Sequence, residues 1–301
     1  MKKKQLIVIV GPTGVGKTSV SIALAKHLKT EIISADSRQI YKQLVIGTAA
    51  ITPKEMEGIP HHFIGSLDVR ESFNAFEYEK AAISLIEKLF QIYDTLIMVG
   101  GSMMYIDAVC KGIDEMPDVD MNIREELKKQ VEEQGIESLW DELKNADLEY
   151  YNSVDLKNPA RVIHGLEVYK TTGRPISSFR QNKAKERNFN IIKTGIDLPR
   201  AELYNRIDMR VDKMIEDGLE AEAHSFYSLK DYYALKTVGY REFFDYFDDK
   251  ITRKEAIRLI KRNSRHYAKK QLTWFRKDEG TQWFSPYKID TLIEFIEEKI
   301  I

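Results

Sequence analysis

The motif near the amino terminus constrains the fold most strongly. Residues 11–18 match the pattern G-x-x-x-x-G-K-[ST] and directly follow an apolar, β-branched run at 6–10. Such a run, bounded by glycine, predicts a buried parallel strand, and apolar residues at helical spacing predict a helix over 19–28. A glycine-rich loop between a strand and a helix points successive N–H groups into one anion-sized hollow. We therefore expect a phosphate-binding loop made of Gly11, Pro12, Thr13, Gly14, Val15, Gly16, Lys17 and Thr18.

Two side chains of this loop have distinct expected roles. Lys17 places a positive charge at the terminal phosphate, and the Thr18 hydroxyl is a ligand for Mg²⁺. In P-loop ATPases a second Mg²⁺ ligand is an acid at the end of a neighbouring apolar strand. The best such strand here, 95–99, ends in Gly100 and Gly101, and no acid follows it. The loop is therefore predicted to hold a pyrophosphate group without the usual ATPase acid.

Strands and helices alternate along the N-terminal part of the chain. Further strands are predicted at 31–34 and 95–99, with an amphipathic helix at 76–90 between them. This alternation predicts an α/β fold with a P-loop NTPase-like parallel sheet and flanking helices. From 113 to 190 the pattern is helical, and strand character then resumes over 190–196. We expect residues 1–112 and 191–301 to form an α/β core with a helical C-terminal part, and 113–190 to form a helical insertion domain.

Composition excludes several classes of protein. The chain has 301 residues, of which 43% are hydrophobic, and its Gly and Pro contents exclude collagen and low-complexity disorder. The single cysteine, Cys110, excludes a disulfide framework and suits a reducing compartment. The adjacent pair His61 and His62 lacks further ligands at metal-site spacing, so packing in a loop is favoured over zinc binding. No apolar stretch is long enough to cross a bilayer, and we expect a cytoplasmic protein that does not enter the membrane.

Two polar residues follow predicted strands at the edge where a ligand would bind. Asp36 follows the strand at 31–34, and Ser102 follows the strand at 95–99. The carboxyl ends of parallel strands line the ligand crevice, so both should lie near the phosphate loop. A carboxylate there accepts a proton from a nucleophile or coordinates Mg²⁺, and a hydroxyl bonds a phosphate oxygen. The alternative for each is a helix N-cap, which Asp and Ser both favour.

The charge is strongly segregated although its sum is only −1. Residues 113–150 include 4 basic and 13 acidic residues, a net of −9 to which no function is assigned. Residues 157–187 carry a net of +6, and 251–278 carry a net of +8. In the last stretch basic residues recur on one helical face with aromatic residues between them, a pattern that suits RNA. A solvated helix face is the alternative for either stretch alone, whereas two such stretches favour a clamp around a polyanion.

A set of motifs spanning essentially the whole chain resembles one family. The motifs are Gly-Pro-Thr-x-x-Gly-Lys-Thr at 11–18, Ser-Ala-Asp-Ser-Arg-Gln-Ile-Tyr at 34–41, Ile-Gly-Thr-Ala at 46–49, Gly-Ile-Pro-His-His at 58–62, Val-Gly-Gly-Ser at 99–102, Asn-Pro-Ala-Arg-Val-Ile at 158–163, Val-Gly-Tyr-Arg-Glu at 238–242 and Gln-Leu-Thr-Trp-Phe-Arg at 271–276. Together they are similar to those of the tRNA dimethylallyltransferases, also called isopentenyl-tRNA transferases. The blocks at 36–41 and 272–276 discriminate best, because many kinases share the phosphate loop.

The resemblance implies transfer of the dimethylallyl group of dimethylallyl pyrophosphate to N6 of the adenosine immediately 3′ of a tRNA anticodon. By this analogy Asp36 is the general base and also holds the adenine, while the phosphate loop, with Lys17 and Mg²⁺ on Thr18, holds the pyrophosphate leaving group. Ser102 stands where the family usually has threonine, and Arg124 matches a family arginine important for activity. Further pyrophosphate ligands are expected in the helix that follows the strand at 190–196, at Arg206 and Arg210.

The resemblance also assigns tRNA contacts to three segments, with the insertion domain as a clamp on the anticodon arm. The residues concerned are Asp36, Ser37, Arg38, Gln39, Ala160, Arg161, Val162, Ile163, His164, Lys236, Gly239, Tyr240 and Arg241. His164 lies where many relatives carry arginine. The expected partners are the anticodon stem-loop of tRNA and dimethylallyl pyrophosphate, bound by a monomer.

Two other functions use the same loop. A nucleoside or nucleotide kinase would place ATP on it, but such a kinase needs neither two basic stretches nor a long helical insertion. A non-catalytic, GTPase-like RNA-binding module would tolerate loss of the Asp36 carboxylate.

Overall fold

The structure, a computed structural model, describes residues 3–180 and 184–300. Its centre is a six-stranded sheet in which every neighbouring pair is parallel, in the order β3-β2-β4-β1-β5-β6. The strands in chain order, β1 to β6, are Gln5–Val10, Ile32–Ala35, His61–His62, Thr95–Gly100, Asn190–Ile196 and Gln282–Phe284. The predicted α/β class, with a parallel sheet of the P-loop type, is confirmed.

Helices connect the strands and form the C-terminal part. In chain order, α1 to α12 are Lys17–Leu28, Ala75–Leu89, Met103–Lys111, Met121–Gln134, Trp140–Ala146, Leu148–Ser153, Pro159–Thr172, Arg200–Glu216, Leu219–Ser225, Tyr240–Phe247, Arg253–Phe275 and Ile289–Ile300. Short 3₁₀ helices occur at Ile136–Leu139, Ile176–Phe179, Tyr227–Leu229 and Tyr233–Leu235. Within residues 3–180 and 184–300, no helix is both long and apolar enough to span a bilayer.

Strand β1 lies in the interior of the sheet because the run that predicted it is apolar on both faces. All six residues of β1 are buried, and β1 pairs with β4 on one side and β5 on the other. Leu6, Val8 and Val10 belong to one hydrophobic cluster, whereas Ile7 and Ile9 belong to another. A strand covered by helices on both faces requires this near-continuous hydrophobicity.

Two edge strands were not predicted. His61 and His62, expected in a loop, form β3 beside Ile32 and Ile33. Gln282–Phe284, inside the part expected to be mostly helical, forms β6 beside Thr194–Ile196. Strands of two or three residues are too short to show alternation, so only pairing with a formed neighbour defines them.

The chain divides into two compact units. The first consists of Met1–Cys110 and Glu186–Ile301, and the second of Lys111–Lys185. The ends of the second unit meet where the Lys185 N–H donates to the Lys111 carbonyl oxygen at 2.8 Å. The insertion domain was expected over 113–190, but Asn190 opens β5 and so belongs to the first unit.

The second unit is helical and has its own core around α7. Its buried apolar side chains include Leu127, Leu139, Leu143, Tyr150, Val162, Ile163 and Leu166. Among them lies the fully buried Glu167, which accepts hydrogen bonds from Arg124 Nε and Nη2, both at 2.6 Å, and lies 2.7 Å from His164 Nδ1. Burial alone would raise the pKa of Glu167, but the bonds from Arg124 and His164 outweigh it and lower the pKa to about 2.

We expect Glu167→Gln to destabilise the second unit by about 3 kcal/mol, the low end of the range for breaking a buried ion pair, because Arg124 and His164 are partly exposed and can rehydrate. Amide hydrogen exchange of α7 is measured in wild type and variant, and the ratio of the two exchange rates is taken at each pH. Since the pKa of Glu167 is lowered on folding, the difference should be complete above about pH 4.5 and should disappear as the pH falls towards about 2.

The matched control is Glu125→Gln on α4, whose carboxylate pairs with Lys128 at the surface. It should leave exchange in α7 within about twofold of wild type, since exposed pairs contribute little. An equal effect of both substitutions, or a ratio independent of pH, would contradict the role given to Glu167.

Candidate active site

The register of the sheet brings three loops to one cavity. Val10 of β1 and Ala35 of β2 both lie opposite Gly100 of β4, so these three strands end at the same level. The loops that follow them line a cavity of about 620 Å³, all of whose lining residues belong to the first unit. Cavities at the carboxyl edge of a parallel sheet are the usual ligand sites of this architecture.

The phosphate loop has the backbone geometry of an anion cradle. Gly14 and Gly16 have φ of +80° and +101°, which only glycine adopts without strain. Gly16 is also the residue before α1, so the loop leads into the N-terminus of that helix. The N–H groups of Gly14, Val15 and Gly16 donate to no acceptor in the part of the chain that the structure describes. They are therefore available to a bound anion, together with the N-terminus of α1.

A buried glutamine from the C-terminal region holds the phosphate loop in place. Gln271 on α11 accepts a hydrogen bond from the Thr13 N–H at 2.9 Å and donates one to the Gly101 carbonyl oxygen at 2.8 Å. A Cβ on Gly101 would lie 2.3 Å from Gln271 Nε2, so any other residue there would displace the Gln271 amide from its present position. Sequence reasoning used Gln271 only as part of a family motif and did not place it at the site. Its partners are main-chain atoms far away in sequence, so no local pattern pointed to it.

Two cations face the cavity beside the loop. Lys17 Nζ donates to the carbonyl oxygens of Gly11 and Pro12 at 2.9 and 2.8 Å, which keeps the ammonium group inside the curve of the loop. Burial lowers the pKa of Lys17 to about 8; Asp36 acts in the opposite direction and Arg210 adds to the lowering. Burial also lowers the pKa of Arg210, and Asp36 again opposes this. The site thus concentrates positive charge that a bound polyanion would stabilise.

Asp36 is held by one carboxylate oxygen. Its Oδ1 accepts hydrogen bonds from the N–H groups of Arg38 and Gln39 at 2.8 and 3.1 Å. No residue within 3–180 or 184–300 donates a hydrogen bond to Oδ2, and Asp36 lines the cavity. The carboxylate therefore caps its own turn, as the alternative interpretation proposed, and still keeps one oxygen for a ligand.

Ser102 supports the same turn from the end of β4. Its hydroxyl oxygen accepts from the Ser37 N–H at 2.8 Å and donates to Ser37 Oγ at 3.0 Å, while its own N–H donates to the Ala35 carbonyl oxygen. Ser102 is buried and lies outside the cavity lining. A direct bond from its hydroxyl to pyrophosphate stays a prediction; the observed contacts position the Asp36 turn.

A further loop, 45–49, is positioned by a glutamate that sequence reasoning missed. Glu222 on α9 accepts hydrogen bonds from the N–H groups of Val45, Ile46 and Gly47 at 3.1, 2.8 and 2.8 Å. This fixes the Thr48 carbonyl oxygen, which accepts from Arg210 Nη2 at 3.0 Å and Gln39 Nε2 at 3.1 Å. The loop thereby connects the Asp36 turn to a cation beside the phosphate loop.

Most of the predicted first-unit residues lie together. The cavity lining includes Thr13, Gly14, Gly16, Lys17, Thr18, Asp36, Ser37, Arg38, Gln39, Arg206, Arg210, Lys236, Gly239 and Arg241. Tyr240 is different, because its ring is buried in a hydrophobic cluster and its hydroxyl donates to Glu222 at 2.6 Å. Only its main chain could take part in the expected RNA contact.

The remaining predicted residues lie in the second unit. On α7, Ala160 and Arg161 are exposed and His164 is partly exposed, whereas Val162 and Ile163 are buried in the core. The side chains of Val162 and Ile163 therefore serve packing. Arg124, expected near the chemistry, bonds to Glu167 within this unit. Its catalytic role stays a prediction.

The basic face of α11 is partly neutralised. Arg258 pairs with Glu255, Lys261 with Asp212, and Arg265 with Asp208 on α8. Arg262 and Lys269, also on this face, are exposed and form no salt bridge with any carboxylate that the structure describes. The charge available to a polyanion is therefore smaller than the net of +8 suggested.

The donor set for a cation is small. Among the residues that the structure describes, no group of three or more His, Cys, Asp or Glu side chains could hold a metal ion. Thr18 is exposed and lines the cavity, and its hydroxyl makes no hydrogen bond to a residue within the described ranges. Mg²⁺ commonly binds through one or two protein oxygens, substrate phosphates and water, so these residues fit that ion better than a metal needing a protein cage.

Comparison with known proteins agrees with this geometry. A family model described as IPP transferase matches residues 39–278. tRNA dimethylallyltransferase 1 of Bacteroides fragilis is 48% identical over 300 residues, covering 100% of both chains, and tRNA dimethylallyltransferase of Cytophaga hutchinsonii is 47% identical over 297 residues, covering 99% of this chain and 98% of the other. The crystal structure of the full-length tRNA isopentenylpyrophosphate transferase from Bacillus halodurans covers 99% of this chain and 97% of that one, with a TM-score of 0.74 and 38% identity.

The family match covers most of the chain and both relatives align over nearly their whole length. The phosphate loop, the Asp36 turn and Gln271 meet in one cavity of the same fold. This chain belongs to the IPP transferase family.

Proposed function

We propose that this protein transfers a dimethylallyl group from dimethylallyl pyrophosphate to N6 of the adenosine 3′-adjacent to the anticodon of tRNA. The relatives at 47–48% identity bear the name tRNA dimethylallyltransferase, and a further solved relative is described as a eukaryotic dimethylallyltransferase acting on tRNA. The single observation that carries the proposal is the meeting of an anion cradle and an accessible carboxylate oxygen, Asp36 Oδ2, in one cavity.

The phosphate loop would hold the pyrophosphate of the donor. The N–H groups of Gly14, Val15 and Gly16 have no acceptor among the described residues, and Lys17, Arg206 and Arg210 line the cavity beside the loop. As the bond between C1 and oxygen breaks, negative charge grows on the leaving oxygen. Fixed donors and cations stabilise that charge without reorganising, which lowers the barrier.

Asp36 would accept the proton of the nucleophile. An exocyclic adenine amine is a weak nucleophile, so removal of its proton during attack favours the new bond between N6 and C1. The proton passes to Asp36 Oδ2 while Oδ1 stays bonded to the turn N–H groups. The balanced products are the N6-prenylated adenosine, pyrophosphate and one proton.

Thr18 is the protein residue that would hold Mg²⁺, with pyrophosphate oxygens and water as the other ligands. When bound, the ion supplies Lewis-acid neutralisation of the leaving group. The protein contributes the Thr18 hydroxyl in the first turn of α1, while the Lys17 ammonium group stays bonded to the carbonyl oxygens of Gly11 and Pro12.

The tRNA side of the proposal uses accessible polar side chains of both units. In the first unit these are Arg38, Lys236 and Arg241, which line the cavity. In the second unit Arg161 and His164 are accessible on α7, and that unit is proposed to bind the anticodon arm. An anticodon loop makes extrusion of one base cheaper than a duplex would. We propose a monomer that acts in the cytoplasm.

The function is tested by giving the protein labelled ATP with nucleosides, or labelled dimethylallyl pyrophosphate with unmodified tRNA. We expect label in the tRNA with the prenyl donor and no label transferred from ATP. Transfer from ATP to a nucleoside without prenylation of tRNA would identify the protein as a kinase instead.

Asp36→Asn should lower kcat by about 10²- to 10⁴-fold, because the amide can no longer accept the proton. Its Oδ1 still accepts from the Arg38 and Gln39 N–H groups, so tRNA affinity should be almost unchanged. Steady-state kinetics at saturating substrates and filter binding measure the two quantities. Asp68→Asn is the matched control, because Asp68 Oδ1 bonds the Arg70 N–H in a similar turn outside the cavity. Full activity of Asp36→Asn would favour a non-catalytic module.

Affinity for inorganic pyrophosphate should fall as the pH rises above about 8, where free Lys17 loses its proton. A bound anion favours protonated Lys17, so binding takes up a proton above that pH and weakens by up to about tenfold per pH unit. Calorimetric titration between about pH 7 and pH 9 measures this. With Lys17→Met, the affinity still changes with pH because pyrophosphate itself titrates, but the Lys17 ammonium group is gone. The difference between the pH dependences of the two proteins therefore reports on Lys17. Parallel curves for the two proteins would exclude Lys17 as a pyrophosphate ligand.

A further inference from the structure

One large aromatic ring beside the cavity has no role in the chemistry described above. Tyr233 is 59% exposed, although the two residues that follow it, Ala234 and Leu235, are fully buried. All three form the short 3₁₀ helix Tyr233–Leu235. The buried pair anchors the backbone, so the ring is presented to solvent from a fixed position.

Arg38 packs against this ring and attaches it to the catalytic turn. The guanidinium carbon lies 4.6 Å from the ring centroid, and Nη1 donates a hydrogen bond to the Tyr233 carbonyl oxygen at 3.1 Å. The N–H of Arg38 in turn donates to Asp36 Oδ1 at 2.8 Å. A planar guanidinium covers one face of a phenol ring, so the large exposed area belongs to the other face and the edge.

The surroundings of the ring have the chemistry of an RNA surface. Lys236 and Arg241 are exposed, line the neighbouring cavity and form no ion pair within the described part of the chain. Tyr267, on α11, lines the same cavity and is 37% exposed. An aromatic face between phosphate-binding cations suits a nucleic-acid base whose backbone passes alongside.

We propose that Tyr233, backed by Arg38, is a stacking platform for an unpaired base next to the adenosine delivered to Asp36. This inference rests on the proposed function. Extruding one nucleotide from a loop removes the stacking partner of its neighbours, and an exposed ring near the catalytic carboxylate replaces that partner. The platform would stabilise the extruded state and would contribute to RNA binding without touching the reacting atoms.

The test compares Tyr233→Leu, which removes the ring, with Tyr233→Phe, which keeps it. The matched control is Tyr232→Leu, since Tyr232 is the adjacent residue, is 41% exposed and has no cation packed on its ring among residues 3–180 and 184–300. The RNA is an unmodified anticodon stem-loop with 2-aminopurine replacing, in turn, each base flanking the target adenosine. Affinity, kcat, the two KM values and probe fluorescence are measured for each protein.

We expect Tyr233→Leu to weaken RNA affinity and raise the KM for RNA by roughly tenfold, the scale of one base–aromatic stack. The KM for the prenyl donor and kcat at saturating RNA should stay the same, and fluorescence quenching at one flanking position should disappear. Tyr233→Phe and Tyr232→Leu should resemble wild type. A merely structural role of Tyr233 would change kcat or the donor KM as well, and would not remove quenching at a single position.

The outcomes separate this inference from the proposed function. The platform is excluded, and the proposed function remains supported, if the wild-type protein prenylates tRNA while Tyr233→Leu keeps its RNA affinity. The same holds if Tyr232→Leu loses as much RNA affinity as Tyr233→Leu. RNA binding that depends on Tyr233 without any prenylation supports the platform and overturns the function. No binding of RNA by wild type overturns both.

Discussion

The parallel register of β1, β2 and β4 is the constraint on which the site depends. Because Val10 and Ala35 both lie opposite Gly100, the loops after these strands begin at the same level and share one cavity. A Cβ on Gly100 would lie 2.1 Å from the Ala35 carbonyl oxygen, so β2 and β4 approach as closely as they do only with glycine there. This approach places the Asp36 turn beside Ser102, whose hydroxyl bonds Ser37.

The charged groups of the site favour binding of an anionic ligand more than they favour the stability of the free protein. Burial disfavours the charged forms of Lys17 and Arg210, and Asp36 is the carboxylate that opposes this for both. In the free protein both cations donate hydrogen bonds to main-chain carbonyl oxygens. Lys17 bonds those of Gly11 and Pro12, and Arg210 bonds that of Thr48. A bound pyrophosphate group would supply the missing negative charge. Because the cations are already held in place, little reorganisation would accompany binding.

The elements that form the site differ in how far the sequence predicted them. Strands β1, β2 and β4 and the phosphate loop were predicted within a residue or two at each end, because apolar runs and glycine positions are local signals. Asp36 was found because it follows a strand. Gln271 and Glu222 were not, since each acts on main-chain groups brought close only by folding. The same limit applies to β3 and β6, whose two and three residues are strands only because a neighbour pairs with them.

Sequence by itself determined the α/β class, the anion-binding loop, the candidate base and the segregation of charge, because each is written in contiguous residues or in a recognisable motif. Tertiary structure decided which of these residues are available. It buried the side chains of Val162, Ile163 and Tyr240, paired Arg124 with Glu167, and neutralised part of the basic face of α11. It also left Asp36 Oδ2 open to the cavity and Tyr233 exposed beside it. The physical reason is that burial and ion pairing depend on partners distant in the chain, which no spacing in the sequence specifies.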